Sequence, residues 1–280
     1  MNKKIILVPN QNKDLNLSQT KEIASFLKEK GFEIDIARNY KDQHGNYRYT
    51  SSFYDAEYII AIGGDGTFLQ AVNDFKFFKN THFIGINLGT VGFLTTIEMV
   101  TYKKQLDELL KGNFIEETYS QIKVETKEDF EDECLNDVVI GRAGFARVIE
   151  LEVYINNKLL YNFSGDGVLI STAIGSTAYN LSLGGPIVHP LSENMIITPI
   201  APHSIGIKPI IIPNTFKVDV KIIGSHKKNN NEALLTCDGR NNNIFLSPGD
   251  IVSISKGSSI SNLILKDFEY FQNLKNKLSH

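Results

Sequence analysis

YIIAIGGDGTFLQAVN, residues 58–73, carries an apolar run straight into two glycines, an aspartate, a third glycine and a threonine. The run reads as a buried strand over 58–62, and a short helix is expected from about residue 67. Flexible glycines at such a corner let backbone approach a ligand closely, but Asp65 places a carboxylate in the middle of it. The surroundings repeat the theme. KIILV (4–8) reads as a buried strand, and SQTKEIASFLKEK (18–30) as a helix with Ser18 as N-cap, Ile23, Phe26 and Leu27 on one face, and Gly31 as its stop. Phe32, Ile34 and Ile36 alternate as a second strand. HFIGIN (82–87) is another, followed by a glycine turn and a helix around 102–111. Residues 39–55 read as an exposed loop. Strands apolar on both faces that alternate with helices predict a parallel sheet covered by helices. Ligands then belong at the carboxyl ends of the strands, where the glycine corners 63–66 and 89–92 fall.

From about residue 118 the pattern becomes strand-rich, with segments at 119–126, 135–140, 148–155, 167–172, 196–200, 208–213, 216–223, 233–237, 244–246 and 251–255. Turn dipeptides and tripeptides separate them. SHKKNNNEA (225–233) reads as a solvated hairpin tip. The tail, DFEYFQNLKNKL, has Phe268, Phe271, Leu274 and Leu278 at helical spacing. The expected fold is an α/β N-terminal domain (parallel sheet with helices) over 1–117 and a β-rich, sandwich-like domain over 118–265. A C-terminal helix over 266–280 would return to the first domain.

Composition narrows the function classes. The chain of 280 residues has a formal net charge of -3, which gives no broad basic face for nucleic acid or an anionic membrane. The apolar run near the N-terminus is too short for a signal-peptide core, and no run of about 18 apolar residues occurs that could span a membrane. The six histidines show no metal-type spacing, and Cys134 and Cys237 lie far apart in sequence. No protein-held metal site is expected. The cysteines are expected as reduced thiols in a cytoplasmic setting.

Glycine corners with exposed amides at a helix N-terminus make an anion site. An aspartate there fits phosphoryl transfer, either near a metal or as the base that takes a proton from an attacking hydroxyl. A tight turn with Asp65 capping a helix is the plainer alternative. There is no GKS or GKT as in a Walker A loop, and no GxGxxG. Further along, NLGTVGFLT (87–95) is a second glycine corner. LNDVVI (135–140) sets Asn136 and Asp137 before a strand. DGVLISTAIGSTAYNLSLGGPIV (166–188) is dense in hydroxyls and small residues, with Tyr179 as a ring on which a base could stack.

GGDGT, GINLGTVGFLT, LNDVVI, the 166–188 run, TPIAPHS and CDGR, in that order from about residue 58 to 255, closely resemble the bacterial NAD kinases. GGDG alone is shared with lipid kinases and phosphofructokinases; the hydroxyl-rich run separates this chain from them. The resemblance implies transfer of the terminal phosphoryl of ATP, in some members of polyphosphate, to the 2′-hydroxyl of the adenosine ribose of NAD. It implies a divalent cation, Mg²⁺, and a homo-oligomer, dimer or tetramer, with an NAD site between domains that borrows residues from a neighbouring subunit. By resemblance Asp65 is the catalytic base, with Gly66 beside it in the NAD site. Gly63, Gly64, Gly66 and Thr67 form the phosphate loop. Asn136 and Asp137 stand where the family has an Asn-Glu pair that holds NAD, here one methylene shorter. Arg147 is a dinucleotide contact or a solvated strand arginine. Asp166 matches an aspartate that reaches NAD across a subunit contact. Thr177, Ala178, Tyr179, Asn180, Leu181 and Ser182 match the adenine-side run, and Ala201 a small residue on the nicotinamide side. Phe93 is a pocket wall or a core residue. Another GGDG kinase acting on a lipid or sugar, and a non-catalytic NAD(H) sensor, are the competing readings.

Overall fold

The computed structural model describes residues 3–89, 92–127, 130–144, 148–224 and 233–279, except the side chains of 241–243. The chain divides into two compact units. The first comprises 1–42, 47–118 and 260–280, and the second 43–46 and 119–259.

The first unit begins with β1 (Lys4–Pro9), α1 (Ser18–Glu29), β2 (Glu33–Ile36), β3 (Arg38–Lys41), β4 (Tyr47–Thr50), β5 (Tyr58–Gly63), α2 (Asp65–Phe75), β6 (His82–Asn87), β7 (Ile97–Glu98) and α3 (Tyr102–Leu110). The strands pair in parallel in the order β2-β1-β5-β6. Their apolar faces close on α1 and α3 through Ile5, Leu7, Ile60, Ile62 and Ile86 against Ile23, Leu27, Leu106 and Leu109. Burial on both faces is what the unbroken apolar runs required. The register sets Pro9 beside Ile62 and Gly63 beside Asn87, so the turns after β1, β5 and β6 emerge along one edge.

The second unit contains β8 (Phe114–Thr126, whose first residues lie in the first unit), β9 (Glu131–Cys134), β10 (Asp137–Arg142), β11 (Ile149–Ile155), β12 (Lys158–Gly165), β13 (Gly167–Thr172), a one-turn helix α4 (Tyr179–Ser182), β14 (Asn194–Ile200), β15 (Ile210–Pro213), β16 (Val218–Gly224), β17 (Ala233–Cys237), β18 (Arg240–Leu246) and the start of β19 (Ile251–Leu265). One antiparallel sheet runs β15-β14-β13-β10-β17-β18; β12, β11, β16 and β19 pair in another. A core built from Val138, Ile140, Val168 and Ile170 on one side and Leu151, Val153, Val220 and Val252 on the other joins them. The expected α/β plus β-rich sandwich-like architecture is borne out. The chain ends in α5 (Tyr270–Leu278), part of the first unit.

Several local expectations are corrected. Residues 38–50 are a hairpin, β3 against β4, rather than an exposed loop. It is held by polar contacts: Arg48 Nε pairs with Asp74 at 2.6 Å, and Tyr49 donates its hydroxyl to the Pro9 carbonyl at 2.7 Å. β12 also occupies residues read as connection. α2 starts at Asp65, two residues early. The apolar side expected of the tail helix is not buried, with Phe271 68% and Leu278 53% exposed. α5 is fastened instead by Asn273, whose Nδ2 donates to the Gly92 carbonyl at 2.9 Å, and by Tyr270 and Lys277 against the Phe93 ring. The hairpin tip expected at 225–233 falls, except for Ala233, outside the described residues.

Ser18 is the first helical residue of α1, not its N-cap, and a short 3₁₀ turn at Leu15–Leu17 precedes it. The cap is the carboxylate of Asp14, 2% exposed, which accepts from Thr20 N at 2.8 Å, Thr20 Oγ1 at 2.6 Å and Gln19 N at 3.1 Å. Burial alone would raise this carboxyl, but the bonds from Thr20, Gln19 and Ser18 outweigh it and hold the group below its ordinary value of 3.8. A depressed acid contributes stability above the unfolded-state value and loses it as pH falls. Asp14→Ala is expected to lower unfolding free energy by about 1–2 kcal/mol near neutral pH, and by less at about pH 3, in urea titrations.

Candidate active site

In the first unit the site grows from the Gly63–Thr67 corner. α2 opens there, so its first N–H groups lack intrahelical acceptors. Asp65 turns its carboxylate onto the turn after β6. Oδ1 accepts from Leu94 N at 3.0 Å, Thr95 N at 3.1 Å and Thr95 Oγ1 at 3.0 Å, and Oδ2 accepts from Phe93 N at 2.8 Å. A carboxylate has about four lone-pair sites on its two oxygens. Oδ1 is therefore saturated, while Oδ2 keeps one site open. The packing is tight enough that a Cβ on Gly92 would lie 1.8 Å from Asp65 Oδ1, so only glycine fits there. Thr67 is braced by Asn10, whose Nδ2 donates to Thr67 Oγ1 at 3.0 Å.

Two cavities touch this edge. One of about 1100 Å³ lies along Asn87, Gly89 and α5 but does not include Asp65. The other, about 530 Å³, is lined by Asp65, Gly64, Gly66 and Thr67 together with Asn10–Lys13 and the β3–β4 hairpin. The second is the one whose lining suits phosphate chemistry. Asn87, 3% exposed, donates to Thr95 Oγ1 at 2.8 Å, and its Oδ1 has no partner among the described residues. The sequence reading left Asn10 and Asn87 out of the site, although Asn10 follows β1 and Asn87 ends β6, at the carboxyl ends of parallel strands where ligand-facing residues are expected.

In the second unit Asn136 and Asp137 sit at the entrance of β10. Asp238 holds them: its carboxylate accepts from Leu135 N at 2.9 Å, Asn136 N at 2.7 Å and Asp137 N at 3.2 Å. Asp238 also escaped the sequence reading, though it belongs to CDGR. Gly175 packs on the same segment so closely that a Cβ would come within 2.1 Å of the Asn136 carbonyl. The 136–137 pair and the start of the 174–182 run therefore form one cluster. Asp137 is only 6% exposed, and its carboxylate accepts no hydrogen bond among the described residues. Burial first, and the charge of Asp238 second, push its pKa up to about 7. Burial raises Asp238 as well, and its three N–H donors and the charge of Arg240 work against that rise.

The rest of the hydroxyl-rich run divides in two. Tyr179 is 45% exposed, and Thr177, Ala178, Leu181 and Ser182 are at least partly open. Asn180, by contrast, is wholly buried. Its Nδ2 donates to the Ser176 and Pro186 carbonyls, both at 3.0 Å, and its Oδ1 accepts from Thr198 Oγ1 at 2.7 Å. The Asn180 side chain thus braces the loop. Asp166 and Ala201 lie together at the opposite end of β13, where Asp166 N donates to the Ile200 carbonyl and Arg142 Nε pairs with the Asp166 carboxylate at 3.1 Å. Ala201 has φ +45°, a left-handed conformation uncommon for a residue with a Cβ. Arg147 lies outside the described residues.

Comparison with known proteins decides the family. Residues 5–114 match the model of the ATP-NAD kinase N-terminal domain, and 135–265 that of the ATP-NAD kinase C-terminal domain. The chain belongs to the ATP-NAD kinase family. It is 36% identical over 283 residues to the NAD kinase of Lachnoclostridium phytofermentans, covering 98% of each chain. It is 35% identical over 287 residues to that of a Thermoanaerobacter species, covering 99% of each. The same fold is seen in yeast NADH kinase complexed with NADH (TM-score 0.81, 21% identity, 99% of this chain and 88% of that one). It is also seen in an NAD kinase from Archaeoglobus fulgidus in complex with ATP (TM-score 0.75, 23% identity, 100% and 99%).

Asn136 and Asp137 are mounted on the Asp238 carboxylate, which yields two expectations. Asp238→Ala leaves up to three N–H groups without an acceptor, and unfolding free energy should drop by about 3 kcal/mol or more in chemical denaturation. Between 3.8 and about 7 the folded chain keeps a proton on Asp137 that the unfolded chain has released, so stability falls as pH rises through that window. Asp137→Asn should flatten that part of the stability–pH curve; an unchanged slope would place the proton elsewhere.

Proposed function

We propose that the Gly63–Thr67 corner transfers phosphate and proton while the 136–137 and 177–182 segments hold the acceptor dinucleotide. The enzyme is an NAD kinase: it moves the terminal phosphoryl of ATP to the 2′-hydroxyl of the adenosine ribose of NAD, giving NADP. The observation that carries the site reading is the unequal use of the Asp65 oxygens. Oδ2, with one lone pair open, takes the 2′-hydroxyl proton; Oδ1 locks the group in place. A ribose hydroxyl is a poor nucleophile, so most of the acceleration comes from alignment and charge neutralisation. The opening amides of α2 face the phosphates. Tyr179 stacks on the adenine, and the unpaired, buried Asp137 accepts ribose hydroxyls.

The described residues contain no group of three or more His, Cys, Asp or Glu placed to hold a metal ion. In our reading the cation, Mg²⁺, arrives on the phosphate oxygens of ATP, as Mg²⁺ commonly does. The phosphate-handling domain spans 1–117 with the 266–280 tail, and the NAD-holding domain 118–265. Asp166 and Ala201 lie a full strand, roughly 20 Å at about 3.3 Å per residue, from the 136–137 cluster. That separation supports assigning them to NAD held by a neighbouring copy, in a homo-oligomer such as a tetramer. Two free, buried cysteines support a reducing, cytoplasmic setting. No helix of the described residues is long and apolar enough to cross a membrane.

A coupled NADP-formation assay with ATP and Mg²⁺ tests the activity, with sphingosine, diacylglycerol and fructose 6-phosphate as rival acceptors. Asp65→Asn should cut turnover by about 100-fold or more, the usual range for losing a positioned base, while NAD still binds in calorimetry. Near-normal turnover would remove Asp65 as the base. NAD binding without turnover in the unmodified enzyme would revive the sensor reading.

A further inference from the structure

The loop after β1 has no role in the reaction as described so far, yet it is built into the catalytic corner. Asn10 N donates to the Ile62 carbonyl at 2.8 Å. Asn10 Oδ1 accepts the backbone N–H groups of Asn12 at 3.1 Å and Lys13 at 3.2 Å, while its Nδ2 reaches Thr67. One amide side chain therefore folds the loop and ties it to the GGDGT turn. The result is the placement of the Lys13 ammonium. A methyl group on Gly64 would lie 3.5 Å from Lys13 Nζ, and one on Gly89 3.9 Å from it. The cation thus stands between the two glycine turns. Among the described residues it has no hydrogen-bond or ion-pair partner, whereas Lys3, Lys4, Lys30, Lys103 and Lys111 all have carboxylates.

The other wall of the same 530 Å³ cavity is the β3–β4 hairpin, which contributes Asn39, Tyr47 and Tyr49. The hairpin is rigidly related to the corner. Asp74, which pairs with Arg48 and accepts from Tyr49 N at 2.8 Å, lies on α2, the helix that Asp65 begins. Tyr49 is fixed by its bond to Pro9. Tyr47 is 54% exposed, and the Lys41 ammonium lies 5.0 Å from its ring centroid. The cavity therefore has a cationic, glycine-lined end and an aromatic end.

We propose that Lys13 and Tyr47 are donor-side residues: Lys13 neutralises the donor's phosphate chain, Tyr47 receives its nucleoside, and the cavity thereby selects a nucleoside triphosphate over a bare polyphosphate. The proposal rests on the kinase reading above. A polyphosphate chain gains from Lys13 but has nothing to place on an aromatic ring; a nucleoside triphosphate uses both ends. A ring presented by a stapled hairpin loses little freedom on stacking, which suits it to this role.

The test is calorimetric binding of ATP and of inorganic tripolyphosphate to the full chain, alongside KM for ATP and for NAD. Lys13→Met should weaken both ligands by about tenfold or more, the usual loss for a hydrogen bond to a charged group, and Lys13→Arg should restore most of it. Tyr47→Ala should weaken ATP by about fivefold or more, the low end for a lost base–aromatic stack, and leave tripolyphosphate unchanged. Tyr47→Phe should behave as the unmodified enzyme, and KM for NAD should hold in all four. ATP binding unaffected by Lys13→Met overturns the phosphate role. A Tyr47→Ala loss that is absent, or equal for both ligands, overturns the nucleoside role. If the unmodified enzyme forms no NADP, the kinase reading fails, and the binding data still judge Lys13 and Tyr47 separately.

Discussion

The geometry of the first unit's site depends on one carboxylate and four donors. Asp65 stands at the start of α2, and its oxygens gather three backbone N–H groups and one hydroxyl from residues 93–95. Hydrogen bonds to a charged group contribute about 1.5–3 kcal/mol each, so the turn after β6 and the corner after β5 cannot easily move apart. The same turn is gripped from its other side by α5 through the Gly92 carbonyl and the Phe93 ring. A carboxylate held this way is preorganised, with little freedom left to lose. Its position is set by the β5–β6 register, because Gly63 pairs with Asn87 and both turns leave the sheet at one level.

Three aspartates among the described residues do this kind of work at the start of an element or in a turn beside the site. Asp14 closes the start of α1, Asp65 the turn after β6, and Asp238 the entrance of β10. A carboxylate suits the task better than an amide, since both its oxygens accept and converging N–H groups need acceptors only. Asp137 is the counter-case: buried and next to Asp238, but with no donor of its own among the described residues. An uncompensated buried acid is costly to ionise, and the cost is removed when a ligand supplies the missing donors. That asymmetry separates a carboxylate that organises backbone from one left without donors among the described residues.

Apolar periodicity disclosed the parallel sheet, and the ordered motifs disclosed the family, because both are written as residue types at fixed spacing. What stayed hidden is which polar atoms are already occupied. Asn180 and Ser176 belong to the hydroxyl-rich run, but their side chains hold the run together: Ser176 Oγ donates to the Val188 carbonyl at 3.0 Å and Asn180 spans Ser176, Pro186 and Thr198. The hairpin at 38–50 was invisible for a related reason. Its strands lack an apolar alternation and depend on Asp74 and Pro9, far away in sequence. Ser18 looked like a cap by residue type, but the cap lies four residues earlier, beyond a 3₁₀ turn that no local pattern announces. The tail helix carries apolar spacing and buries none of its residues, because polar contacts at Asn273 and Lys277 choose its orientation.

Among the described residues, the positive-φ residues that are neither glycine, asparagine nor aspartate are Leu17 and Ala201. Leu17 is the N-cap residue of α1, where Asp14 over-determines the backbone. Ala201 follows β14 and is pinned by the Asp166 N–H to the Ile200 carbonyl and by Gly165, where a Cβ would meet the Ile200 and Ala201 carbonyls at 2.9 and 3.1 Å. A left-handed residue with a Cβ costs of order 1–3 kcal/mol and persists only where its neighbours enforce it. A glycine at 201 would relieve the strain and also free the backbone to sample other conformations. Retaining alanine keeps this turn after β14 in one conformation, beside Asp166, whose N–H holds the preceding carbonyl.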